Sequence, residues 1–218
     1  MSFAPLPDEL PALLPIFPLT GVLLLPRGRL PLQIFEPRYL AMTRHALAHP
    51  HRLIGMVQPQ EEQGDAGDPP VYQIGCAGRI VEFAETRDGR YMLSLEGVCR
   101  FDIASEPPRS EDYREVVADW QRWHSDFHED DKGVDRDHMI AALKPFLDRQ
   151  GINADSDVLT TAPIEHLVNS LAMACPFSAR EKQALLEAQN TSERSKILTA
   201  LVEMSVAANG VSGGATKN

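Results

Sequence analysis

Cysteine is nearly absent from this chain of 218 residues: Cys76, Cys99 and Cys175 are odd in number, far apart and without a C-x-x-C pair. That excludes a disulfide framework and a cysteine-based metal site, and it fits buried thiols in a reducing compartment. Basic charge is in deficit as well, with 21 Lys and Arg against 31 Asp and Glu and a formal net charge of -10. A surface of that sign repels phosphate backbones and anionic lipid, so neither nucleic acid nor a membrane is expected as a partner. The N-terminus has no basic region, places Asp8 and Glu9 early, and breaks its apolar stretches with Pro5, Pro7, Pro11, Pro15 and Pro18. No signal peptide is read there. The run Val22-Leu23-Leu24-Leu25 is far too short to cross a bilayer. A cytoplasmic protein is the expectation.

Catalytic signatures are missing too. The sequence contains no G-x-x-x-x-G-K-[ST] phosphate cradle, no H-E-x-x-H and no strand-linked G-x-G-x-x-G. Ser192, Ser195 and Lys196 lie close in sequence, but on a helix such spacing leaves them facing solvent. Two histidine groups could in principle gather metal ligands: His124 and His128 near Glu129, Asp130 and Asp131, and His45 with His49 and His51. The first falls in an acidic, polar stretch and the second at a helix end, where a histidine meets the dipole or water. No metal and no cofactor are expected.

What is present is a chain with 43% hydrophobic residues, enough for one large or two small cores, and 17 prolines, nine of them within residues 1–50. Prolines alternating with apolar residues over Leu14–Leu19 exclude a helix and suit an edge strand. Val22–Leu25 and Leu30–Phe35 read as further short strands on either side of Pro26-Arg27-Gly28. From Pro37 to Ala48 the apolar spacing becomes helical, with Pro37 suited to the first turn. Gln58–Pro70 is polar and loop-like. Strands resume at Val71, and Asp88-Gly89 between two apolar runs signals a hairpin, because both residues tolerate positive φ. Val98–Ile103 and Tyr113–Trp120 complete a strand-rich region.

Residues 124–137 hold six acids and almost nothing apolar, and they read as a linker. Beyond it, His138–Arg149, Pro163–Ala174, Ala179–Ala188 and Glu193–Ala207 carry helical periodicity. Ser178 with Glu181 forms a capping box, and Thr191 or Ser192 is placed to cap the last helix. The stripe Ile164, Leu167, Val168, Leu171, Ala172 and Cys175 must pack against a neighbour. The organisation read from these signals is a flexible lead-in over 1–13, a β domain over 14–123, an acidic linker over 124–137, an α-helical bundle over 138–207 and a flexible tail over 208–218. The fold class is α+β, a twisted antiparallel β-barrel with one early helix followed by a C-terminal helical bundle.

Leu14-Pro15-Ile16-Phe17-Pro18-Leu19, Leu25-Pro26-Arg27-Gly28 and Leu30-Pro31-Leu32-Gln33-Ile34-Phe35-Glu36-Pro37-Arg38-Tyr39 together resemble the amino-terminal domain of the ATP-dependent Lon protease. The similarity continues through Ile74–Ile80, Asp88-Gly89-Arg90 and Gly97-Val98-Cys99-Arg100-Phe101, and covers roughly residues 13–205. It implies a PUA-like barrel, a helical bundle and recognition of unfolded or partly folded protein segments. Because the chain ends after the helical region, it resembles stand-alone Lon-domain proteins of bacteria, and binding without ATPase or peptidase chemistry is expected. PUA-like barrels also resemble binders of small molecules or modified nucleotides, which is the alternative. No catalytic residue is assigned. The residues that carry the resemblance are Phe35, Glu36, Pro37, Arg38, Tyr39, Gly97, Arg100 and Phe101, read as mainly structural. Glu36 is expected to be buried and to accept backbone N–H bonds at the helix entrance, and Arg100 to form an ion pair that closes the barrel. Arg38 is the candidate for lining a peptide groove.

Overall fold

The computed structural model describes residues 9–60, 68–151 and 156–212. They divide into two units, one running to His128 and including Phe177–Leu186, the other formed by Glu129–Pro176 and the residues from Glu187 onward.

The first unit is built on six strands: β1 (Leu13–Pro18), β2 (Arg29–Ile34), β3 (Leu53–Val57), β4 (Ile74–Glu85), β5 (Tyr91–Ser105) and β6 (Arg114–Asp119). Their order is β2-β5-β4-β3-β1-β6, and β6 pairs again with the end of β5, so the hydrogen bonding returns on itself as a ring. β5 makes this possible by its length of 15 residues: Tyr91–Glu96 pairs with β2, and Asp102–Ser105 pairs with β6. Register shifts between Ala77 and Gly78, between Ile80 and Glu82, and between Ile103 and Ser105 supply the bends. The sheet is mixed, which corrects the antiparallel expectation. β1 and β3 run parallel, Ile16 opposite Gly55 and Phe17 opposite Met56, because β2 and helix α1 (Pro37–Ala48) intervene and provide the long crossover that a parallel pair needs.

Val22–Leu25 forms no strand. Leu23, Leu24 and Leu25 instead join Leu14, Ile16, Ile54, Leu95 and Phe101 in the core. The hairpin at Asp88-Gly89 is present, with Gly89 at φ 78° and Thr86 N–H donating to the Arg90 carbonyl at 2.9 Å. The acidic segment begins differently from its composition. Gln121–Phe127 is a 3-10 helix with Trp123 and Asp126 buried, so residues 124–127 are not linker. The loop expected over Gln58–Pro70 is pinned at its ends by a Pro59–Val71 bridge and a Gln60 N–H to Pro70 carbonyl bond, while residues 61–67 lie outside the described residues.

In the second unit, α2 (Arg136–Gln150) is capped by Asp135, whose carboxylate accepts the His138 N–H at 3.0 Å. A short α3 (Ser156–Thr161), not read from the sequence, precedes α4 (Ile164–Ala174), and Arg136 donates to the Leu159, Thr160 and Ala162 carbonyls. The apolar stripe of α4 is buried as its spacing requires. α5 (Ala179–Glu187) starts at the Ser178–Glu181 capping box, with Ser178 N–H and hydroxyl both donating to Glu181 Oε2. Most of α5 belongs to the first unit, which corrects its placement in the bundle. Lys182 donates to the Gly21 carbonyl at 2.8 Å and Gln183 to the Ile74 carbonyl at 3.2 Å, and both side chains are buried. α6 (Thr191–Ser212) is capped by Asn190, which accepts the Glu193 N–H at 2.8 Å, rather than by Thr191 or Ser192. α6 also runs through positions 208–212, so the expected tail is helical there. Residues 213–218 and the first eight of the lead-in lie outside the described residues. Among the described residues no helix is long and apolar enough to cross a membrane.

Candidate functional site

The Ile-Phe-Glu-Pro-Arg-Tyr segment joins β2 to α1. Pro37 occupies the first helical turn, where its missing N–H costs nothing, and Tyr39, Met42 and Ala46 turn inward. Glu36 is the N-cap residue but makes no side-chain cap bond. Its carboxylate instead accepts from Arg38 Nε at 3.1 Å and pairs with Arg38 Nη2 at 3.0 Å, with side chains 43% and 34% exposed respectively. The expected burial of Glu36 is therefore corrected: the adjacent arginine satisfies the carboxylate at the surface. Arg38 lies over the Tyr39 ring at 4.6 Å, and that ring packs on Phe17 at 4.3 Å. Burial holds the Tyr39 hydroxyl above the usual phenol range. A surface pair of this kind contributes about 0–1 kcal/mol. Glu36→Ala is expected to shift the urea midpoint by no more than that, and a loss of several kcal/mol would return Glu36 to a buried role.

Phe35, Glu36, Arg38 and Tyr39 line one cleft of about 640 Å³ together with β1, β2 and the approach to β6. Phe35 is 61% exposed, unusual for a large aromatic side chain. Arg114, which the sequence did not single out, borders the cleft and forms a two-pronged pair with Glu106 at 2.8 and 2.7 Å while donating to the Pro69 carbonyl. Gly97, Arg100 and Phe101 do not line this cleft. They sit in the sheet interior, where Arg100 pairs with Asp126 at 2.6 Å and Phe101 packs on Trp120 at 5.6 Å.

The histidine groups do other work. His45 Nδ1 lies 2.7 Å from the Tyr113 hydroxyl, His49 and His51 stack at 6.1 Å, and His128 ends the 3-10 helix with its carbonyl accepting from Arg27. Among the described residues no three His, Cys, Asp or Glu side chains come together as metal ligands. The Ser192 hydroxyl donates to the Gly133 carbonyl, and Ser195 is buried rather than facing solvent, its hydroxyl satisfied by the Ser192 carbonyl.

Burial, with Glu115 and Glu111 nearby, pushes the Tyr113 hydroxyl up to about 12. An unfolded chain ionises this tyrosine near pH 10 while the folded protein keeps the proton, so its contribution is complete below about pH 10 and is lost as pH rises through about 12. Urea midpoints measured from pH 9 to 12 are expected to fall more steeply for the wild type than for Tyr113→Phe. Parallel curves would refute this assignment.

The described residues thus form a ring-closed mixed sheet with an open cleft beside β1 and β2, followed along the chain by a helical unit. The family model for the ATP-dependent protease La (LON) substrate-binding domain matches residues 13–203, and the chain belongs to that family. It is 25% identical over 199 residues to the Lon protease of Anaeromyxobacter dehalogenans, covering 89% of this chain and 23% of that protein. It is 23% identical to Lon protease 1 of Bacillus subtilis over 194 residues, 86% of this chain and 24% of that protein. The chain thus spans about a quarter of the length of these relatives. Among solved structures it resembles a Lon N-terminal domain protein from Xanthomonas campestris (TM-score 0.60, 25% identity, 86% of this chain and 97% of that one). The N-terminal domain of the Mycobacterium avium complex Lon protease shares the fold (TM-score 0.62, 15% identity, 87% and 97% covered).

Proposed function

We propose that this chain is a non-enzymatic module that holds unfolded or partly folded protein segments, on a PUA-like β domain accompanied by a helical bundle. The observation that carries the reading is the match to a substrate-binding domain over residues 13–203. The cleft beside Phe35 and Tyr39 supports it, since an exposed aromatic side chain at the rim offers an apolar contact while the charges around it are largely neutralised in pairs. One such contact surface, without reacting groups, offers burial and a few hydrogen bonds, so affinity is modest for a single segment and rises when several are linked.

The test is the purified chain against a permanently unfolded, cysteine-alkylated polypeptide, followed by fluorescence anisotropy and by electrophoresis after prolonged incubation with ATP. Binding without cleavage or nucleotide turnover is expected. Turnover abolished by one Ser or Lys substitution would overturn the reading. Absence of polypeptide binding alongside a tight compact ligand would favour the small-molecule or modified-nucleotide alternative.

A further inference from the structure

Among the described residues, β2 pairs with β5 and with no other strand. The Gly97 N–H donates to the Gly28 carbonyl at 2.9 Å, and the register continues as Leu30 opposite Leu95, Leu32 opposite Leu93 and Ile34 opposite Tyr91. Hydrogen-bonded pairs alternate in an antiparallel ladder, so these even-numbered residues bond to β5, and Arg29, Pro31 and Gln33 turn their backbone groups outward. Pro31 removes one donor from that outer edge, which is where a proline is tolerated and where it blunts uncontrolled pairing. β1 is open in a similar way. Its Leu13–Ile16 stretch pairs with β6, whereas among the described residues Phe17 and Pro18 pair only with β3. Both unpaired stretches line the same cleft.

We propose that an extended segment of a client protein binds here by adding a strand to the outer edge of β2, a mode that rests on the protein-binding reading above. The backbone selects the occupant. The Arg29 and Gln33 N–H groups and the Arg29, Pro31 and Gln33 carbonyls match the ladder of an extended chain. β2 has six residues, so about 20 Å of ladder is on offer at roughly 3.3 Å per residue. Charge narrows it further. Glu36 pairs with Arg38, Asp68 with Arg109 and Arg114 with Glu106, while Asp112 on the cleft wall has no ion-pair partner among the described residues. A mostly apolar segment carrying a basic residue fits, and an acidic one is repelled.

The experiment uses the full chain and a dansylated heptapeptide of alternating valine and threonine with a central lysine. Two further versions are N-methylated on alternate residues, in opposite phases. Strand addition predicts that one phase loses at least about tenfold in affinity while the other stays within about twofold of the parent, because only one set of N–H groups faces β2. On the protein side, Pro31→Val restores an outward N–H and is expected to tighten binding roughly two- to tenfold, and Gln33→Pro removes one and weakens it similarly. Both substitutions leave the β5 ladder intact, and circular dichroism melts check the fold. Equal effects of the two methylation phases would overturn strand addition and leave the protein-binding reading standing. Failure of both the parent peptide and the unfolded polypeptide to bind would overturn that reading itself. Wild-type dimerisation that excludes the peptide would assign the edge to a second copy and overturn the proposal.

Discussion

Asp126→Ala is expected to destabilise the β-sheet unit by about 3–5 kcal/mol, the loss that follows when one partner of a buried ion pair is removed and the other is stranded. Asp126 accepts from the Arg100 backbone N–H and Nε, each at 2.9 Å, and from Nη2 at 2.6 Å, with the two side chains only 2% and 6% exposed. The guanidinium also stacks over Trp123 at 3.8 Å and donates to the Leu186 carbonyl at 3.0 Å, so one side chain ties β5 to the 3-10 helix and to the C-terminal part of α5. Arg100→Met is expected to be nearly as damaging, since it leaves the Asp126 carboxylate buried without its cation. The Arg100→Met, Asp126→Leu double variant is expected to recover much of the loss, because two apolar groups no longer pay for desolvated charge. Urea unfolding of the wild type, Arg100→Met, Asp126→Leu and the double variant measures the coupling. Additive losses would show that the pair is not the source.

Gly97→Ala is expected to cost about 3 kcal/mol, at the upper end of what overpacking produces. A Cβ at this position would overlap the Leu25 carbonyl oxygen and lie 2.7 Å from its carbon, both backbone atoms with no room to rotate aside. The chain comes this close because Arg27 N–H donates to the Gly97 carbonyl at 2.7 Å and Gly97 N–H to the Gly28 carbonyl at 2.9 Å, which sets the start of the β2 ladder. Arg27 also reaches from this turn to the Asp126 carbonyl at 2.6 Å. Displacing the turn therefore loosens the strand edge proposed for binding as well as the core. Thermal melts and peptide affinity should fall together, and an unchanged melting temperature would refute the steric account.

Signals held within a few consecutive residues are legible in the sequence by itself. Asp88-Gly89 names its own hairpin because positive φ is a property of the residue. The Ser178–Glu181 box names a helix start because capping is a contact across three positions, and the stripe on α4 follows from 3.6 residues per turn. The segment from Phe35 to Tyr39 and the run from Gly97 to Phe101 are enough to point to the family. Periodicity, however, says that a face is buried without saying against what, so it groups α5 with the other helices although Lys182 and Gln183 bind carbonyls of the sheet unit. Acidity likewise suggests solvent for Asp126, and only Arg100, 26 positions away, draws it inside. Glu36 goes the other way, satisfied at the surface by Arg38 two residues on. The parallel pairing of β1 with β3, the ring closure through β5 and β6, and the free edge of β2 beside the cleft are relations between segments distant in sequence. Local propensity carries no information about such partners, and the tertiary structure alone decides them.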